Sequence, residues 1–197
     1  NLKHFSAGVD LKERKILSKN DANKALDNFN DCFNTIENFS KPVICLINGY
    51  CLGGGAELAL SCDIRVGSKD SVVGFPEVSI GIIPGASGTQ RLPKIIGLSN
   101  AKYWIYSAKK FNAKDAYRFG FLNFISECDD LLDKGISIVD EILKNAPIAV
   151  NCSKKAIDDG YNKNLKEGLK IERDNYKITL NTKDRDEALK AFMNKRK

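Results

Sequence analysis

Apolar positions along the chain fall into two patterns. Short continuous runs, Pro42-Val43-Ile44-Cys45-Leu46-Ile47 and Ile64-Arg65-Val66-Gly67, have the length of buried strands. Asn48-Gly49 closes the first run as a turn. Elsewhere apolar residues recur every three or four positions. Ala25, Leu26, Phe29, Phe33, Ile36 and Phe39 predict an amphipathic helix within residues 12–39, packed on the core. A helix starts at Thr89 and ends at Gly97, and Ser99 caps the next, which holds Trp104 as a core residue. Residues 113–120 predict a short helix closed by Gly120, and 122–125 a strand. Helical periodicity from 131 to 143 is broken by Pro147, and helices follow over 151–159, 165–180 and 184–195. Strands interleaved with helices give an α/β core over 1–147, followed by a helical region over 148–197. There is no internal repeat and no low-complexity linker.

Composition narrows the picture. The chain has 197 residues, enough for one sizeable core, and 43% of them are hydrophobic. No apolar run reaches the length of a membrane span. The six cysteines form no C-x-x-C pair and no zinc spacing, and read as small residues in a reducing compartment. Net charge is +6, and from residue 151 onward thirteen Lys/Arg face eight Asp/Glu. That surplus suits a polyanionic small molecule. Nucleic acid is the weaker match, because no dense basic run carries interleaved aromatics. His4 is the one histidine and has no Ser-Asp or Cys partner in view, which disfavours a triad or a histidine metal site.

Candidate chemistry concentrates in residues 41–88. After the first strand come Gly53-Gly54-Gly55-Ala56-Glu57-Leu58-Ala59, read as a tight strand-to-helix turn. Such a turn presents backbone N–H groups and the positive end of a helix dipole to an anion or a developing oxyanion. Glu77 lies between Pro76 and an apolar run, a setting that desolvates a carboxylate and raises its pKa. Spacing alone leaves two readings open. In one, Glu57 and Glu77 are an acid/base pair; in the other, Glu57 is a first-turn helix acid and Glu77 a solvated loop residue. Likewise, Phe5-Ser6-Ala7-Gly8-Val9-Asp10 is a turn leading into a helix, with Asp10 as its cap.

Several motifs in order carry a resemblance. They are Ala7-Gly8-Val9-Asp10, the Gly53-Gly54-Gly55-x-Glu57 turn with Cys62-Asp63 behind it, and Phe75-x-Glu77-x-x-x-Gly81-x-x-Pro84-Gly85-x-x-Gly88-Thr89-Gln90-Arg91-Leu92. Together they resemble the enoyl-CoA hydratase/isomerase (crotonase) superfamily over nearly the whole chain. The resemblance implies a spiral of ββα units with a C-terminal helical trimerisation region, and homotrimers or hexamers made of two trimers. It also implies that the family's opening strands and helix, with any targeting segment, precede this chain.

For the site, the resemblance implies an acyl-CoA thioester as substrate, with coenzyme A as part of that substrate and no separate cofactor or metal. The Val9 and Gly54 N–H groups would form the oxyanion hole, and Glu57 and Glu77 would hold a water. Gly85 N–H would assist the water or Glu77. Ala7, Asp10 and Leu11 would border the CoA adenine, Leu17 would tune acyl length, and Phe192 and Lys195 would approach CoA in a neighbouring subunit. The plainer alternative makes Phe192 a helix anchor and Lys195 a solvated charge. Isomerases of the superfamily commonly keep only the second acid, so the pair favours hydration.

Residues 9–14, 90–93 and 181–185 resemble methylglutaconyl-CoA hydratases most, with short- to medium-chain enoyl-CoA hydratases close behind. That points to a mitochondrial protein, with the cytoplasm as the alternative. AU-rich RNA binding is a second function class, although the lysine-bearing helix credited with it in that group would precede this chain. A non-catalytic fragment is a third.

Overall fold

The structure is a computed structural model that describes residues 3–194, with the side chains of Leu11, Glu13 and Arg14 outside the description. Residues 12–39 form two helices instead of the one expected, α1 (Leu11–Ile16) and α2 (Lys19–Glu37). Ser18 divides them: its Oγ accepts from Asp21 N–H at 3.1 Å, an N-cap that starts α2 afresh. Of the predicted apolar face, Phe33 is buried, while Phe29 and Phe39 are partly exposed.

The chain then alternates between two sheets. β1 (Ile44–Ile47) passes through Gly49, at φ 59°, into β2 (Tyr50–Leu52), and α3 (Gly54–Leu60) follows. The second unit repeats the pattern as β3 (Ile64–Ser68), β4 (Val72–Gly74), a 3-10 turn at Glu77–Ile80 and α4 (Gly88–Ile96). Next come α5 (Leu98–Ser107), β5 (Lys110–Asn112), α6 (Ala113–Arg118) and β6 (Phe124–Ser126). One sheet has the order β1-β3-β6, all parallel; the other has β2-β4-β5, with β5 antiparallel. Each ββα unit thus adds one strand to each sheet, which is the crotonase spiral. α5 begins one residue earlier than expected: Gly97, at φ 79°, supplies its cap, and Ser99 lies in the first turn.

The chain divides into two compact units, Asn1–Phe39 with Val43–Ile136, and Ser40–Pro42 with Ser137–Lys197. The boundary falls inside α7 (Leu131–Leu143). Within the second unit α8 (Pro147–Gly160) packs on α9 (Leu165–Leu180), and α10 (Lys183–Met193) follows. Pro147 opens α8 at its first position, where a missing N–H costs nothing. Asn164 and Thr182 cap α9 and α10. No helix among the described residues is long and apolar enough to cross a membrane.

The core of the first unit closes on aromatic and small residues. Trp104 is fully buried, stacked on Phe111 at 4.2 Å, with Phe119 edge-on at 5.6 Å. Each such side chain contributes about 1.5–3 kcal/mol of burial. Ala56 and Ala59 of α3 are also fully buried, so that helix sits deep in the unit. This depth matters because α3 carries Glu57.

Candidate active site

Two loops cross at the start of α3, and glycines allow the crossing. Residues 5 and 6 run beside β2: Ser6 N–H donates to Tyr50 O at 2.9 Å and Leu52 N–H to Ser6 O at 2.9 Å. Gly8, at φ 89°, then carries the chain over the glycine turn. A Cβ at Gly8 would stand 2.9 Å from Leu52 O, and one at Gly55 would stand 2.6 Å from Ser6 Cβ. Neither gap admits a side chain. Val9 follows directly, its Cγ2 3.8 Å from where a Gly54 Cβ would be. The fold therefore brings Val9 and Gly54, 45 positions apart in sequence, side by side. The first N–H groups of a helix have no intrahelical partner, and no side chain caps α3.

Gly53 has φ 54° and ψ −126°, a conformation that L side chains rarely adopt. Its N–H donates to Gly74 O at 2.9 Å, tying the turn to β4. The Glu77 carboxylate lies over it, with Oε1 2.8 Å from the position a Gly53 Cβ would take. Glu77 is 9% exposed. The apolar run after it is not what buries it, because Ile80 and Ile83 face outward at 51% and 65% exposure. Close packing on the bare glycine turn takes their place.

Glu57, one turn into α3, is 3% exposed. Its Oε1 accepts from Gly88 N–H at 2.8 Å, and Ala86 N–H also donates to the carboxylate. Burial pushes its pKa up to about 7; the Gly88 N–H opposes this, Glu77 adds to it, and Ala86 N–H and Arg91 oppose it further. Two buried carboxylates from separate elements sit beside a helix start whose first N–H groups have no intrahelical partner. Such a site can bind a polarised carbonyl and move a proton on either side of it.

The other expected residues divide. Asp10 Oδ1 accepts from Lys12 N–H at 2.8 Å, the capping role read from the sequence. Ala7 is exposed on the same loop. Leu11 opens α1, and its side chain lies outside the described residues. Gly85 packs against Leu26 of α2, which a Cβ there would approach to 3.2 Å. Leu17 lies between α1 and α2, 36% exposed. Phe192 is 83% exposed on α10, and Lys195 lies outside the described residues. His4 stacks on Tyr50 at 4.5 Å, and its Nδ1 accepts from Tyr50 N–H at 3.3 Å, a packing role.

Sequence reasoning missed the flank supplied by α2. Ser87 Oγ–H donates to Asn30 Oδ1 at 2.7 Å, and Ser87 has φ 78° despite its side chain. Arg91 Nη2 donates to Asn34 Oδ1 at 2.8 Å and to Glu37 Oε2 at 2.7 Å. The signal in the sequence was Arg91 directly before Leu92, on the side of α4 that enters the core.

Comparison with known proteins agrees with this fold. The family described as Enoyl-CoA hydratase/isomerase matches residues 2–197. "Probable enoyl-CoA hydratase 2, mitochondrial" of Arabidopsis thaliana is 40% identical over 193 residues, which cover 98% of this chain and 64% of that protein. "Methylglutaconyl-CoA hydratase, mitochondrial" of Homo sapiens is 41% identical over 196 residues, covering 98% and 58% respectively. The crystal structure of an enoyl-CoA hydratase from Bacillus anthracis superposes with a TM-score of 0.93 at 40% identity, covering 96% of this chain and 74% of that one. This chain belongs to the enoyl-CoA hydratase/isomerase family. It spans 64% and 58% of the length of the two curated relatives named here.

Proposed function

We propose that this chain carries the active site of an enoyl-CoA hydratase, which adds water across the α,β double bond of an acyl-CoA thioester. The observation that carries the reading is the pair of buried carboxylates, Glu77 over the Gly53 turn and Glu57 in the first turn of α3 with its Oε1 held by Gly88 N–H. Glu57 takes a proton from the water, whose oxygen bonds to the β-carbon. The π electrons move onto the thioester oxygen, held by the Val9 and Gly54 N–H groups. Glu77 then delivers its proton to the α-carbon, and the thioester carbonyl re-forms. Gly85 N–H steadies the water or Glu77.

The step needs no cofactor beyond the CoA of the substrate. Ala7, Asp10 and Leu11 border the adenine; Phe192 and Lys195 reach CoA in a neighbouring subunit of a trimer or of a hexamer. The exposure of Phe192 suits such a contact. An isomerase needs only one acid, and the burial of Glu57 beside the other favours hydration.

The test is kcat/KM of the intact protein for crotonyl-CoA and methylglutaconyl-CoA across pH. Hydration is expected, with the better substrate naming the acyl class. Because Glu57 must be ionised to take a proton, kcat/KM falls as pH drops through about 7. A flat profile between pH 5 and 8 contradicts the role of Glu57 as base.

A further inference from the structure

Ser87 sits at the start of α4, where a serine ordinarily turns its hydroxyl back onto the helix N–H groups. Here it does not. Its backbone is left-handed, at φ 78° and ψ 7°, and its side chain makes no cap bond to its own helix. The Oγ–H instead donates to Asn30 Oδ1 of α2 at 2.7 Å. The Ser87 carbonyl accepts from Gln90 N–H at 3.0 Å and from Arg91 N–H at 2.8 Å. One residue is thus fastened to α2 by its side chain and to α4 by its backbone. A left-handed conformation is strained for a residue with a Cβ and persists only where its surroundings hold it.

The neighbours of Ser87 on either side give this fastening a use. Gly88 N–H donates to Glu57 Oε1 at 2.8 Å, and Ala86 N–H donates to the same carboxylate. Ala86 and Gly88 are both buried. The first N–H of α4, which has no partner within its own helix, is thus taken up by Glu57. α2 lies along the whole segment. Leu26 packs on Gly85, Asn30 holds Ser87, and Asn34 Oδ1 accepts from Arg91 Nη2 at 2.8 Å. Positions 26, 30 and 34 are four apart, so they form one stripe of the helix.

Resting on the hydratase reading, we propose that Asn30 is a positioning residue for Glu57: by holding Ser87 in its left-handed conformation, it fixes the two flanking N–H groups that hold the carboxylate. The contacts are continuous, from Asn30 Oδ1 through Ser87 Oγ and one peptide unit to Gly88 N–H and Glu57 Oε1. Without the bond to Asn30, Ser87 relaxes, and the peptide that carries the Gly88 N–H turns with it. The water then meets a misdirected base. The loss falls on kcat and not on the binding of CoA.

The experiment compares the intact protein with Asn30→Ala, Asn30→Asp and Ser87→Gly. It reads kcat and KM for crotonyl-CoA, and solvent exchange of the Gly88 amide by NMR. Labelling serine carbonyl carbons and glycine nitrogens isolates that amide, because Ser87-Gly88 is the one Ser-Gly step in the sequence. Asn30→Ala is expected to speed Gly88 exchange and to lower kcat about tenfold, with KM within about twofold; a misplacement near 1 Å can cost about 10²-fold. Asn30→Asp keeps an oxygen acceptor for Ser87 and restores most of both. Ser87→Gly lowers kcat alike, yet melts no lower than Asn30→Ala, because glycine adopts φ 78° without strain. The double variant is no slower than Ser87→Gly alone, because both substitutions remove one contact.

Unchanged kcat and Gly88 exchange overturn the proposal, as does a loss confined to KM or an equal loss in Asn30→Asp. If Asn30→Ala does not fold, parental kcat in Ser87→Gly overturns it alone. An inactive parent whose Gly88 exchange still rises in Asn30→Ala and recovers in Asn30→Asp overturns the hydratase reading and leaves the hold on Glu57 standing.

Discussion

Glu77→Gln is expected to lower kcat for crotonyl-CoA hydration by about 10²–10⁴-fold, the usual contribution of a positioned acid or base. Glutamine matches glutamate in shape, so it keeps the packing over Gly53 while having no carboxyl proton to deliver to the α-carbon. Glu77 is 9% exposed, which leaves bulk water little access to take over that transfer. KM should change little, because the acid acts on the reacting carbon and not on the CoA handle. Steady-state rates on the purified variant read the loss. A variant within threefold of the parent would remove Glu77 from the chemistry.

Gly53→Ala carries the second large effect, through two separable costs. The backbone at φ 54° and ψ −126° is strained for any residue with a Cβ, at about 1–3 kcal/mol. The new methyl would also stand 2.8 Å from Glu77 Oε1. That oxygen ends a flexible side chain, so the carboxylate swings away and the protein still folds. The turn that holds Gly54 N–H shifts with it. Displacing an oxyanion donor costs about 10²–10³ in kcat, and the moved acid adds to that.

Gly81→Ala is the control. Gly81 also has positive φ, at 76°, but a Cβ there meets nothing within 4 Å. It should lose stability through backbone strain alone and keep its rate. Thermal melts beside kcat for both variants separate strain from displacement. Equal rate losses in the two would mean that backbone strain, and not the approach to Glu77, governs activity.

The site was legible in parts for identifiable reasons. β1 could be read because its four residues are uniformly apolar. β2, β4 and β5 could not: each has three residues, too few for a period, and they form by pairing Tyr50 with Val72 and Val73 with Phe111. The break at Ser18 follows from a cap pattern, Ser18-Lys19-Asn20-Asp21, that the periodicity of the flanking residues outweighed.

Glu57 stood out because a glycine-rich turn placed it in the first turn of a helix. Glu77 was also recognisable, but its burial comes from packing on Gly53 and not from the isoleucines that follow it. The flank of α2 was out of reach. Ser87 with Asn30 and Arg91 with Glu37 join residues 57 and 54 positions apart, and no local pattern records such pairs. The same holds for Ala86 and Gly88, whose backbone N–H groups hold Glu57 regardless of their side chains.

The central claim is that the two glutamates add water to a double bond. The most direct measurement converts crotonyl-CoA with the intact protein in oxygen-18 water and weighs the CoA product. The account predicts a hydroxyacyl-CoA carrying one solvent oxygen at the β-carbon, at a rate that collapses in Glu77→Gln. A CoA product with a shifted double bond and no solvent oxygen, or a folded protein that binds CoA and converts nothing, would contradict it.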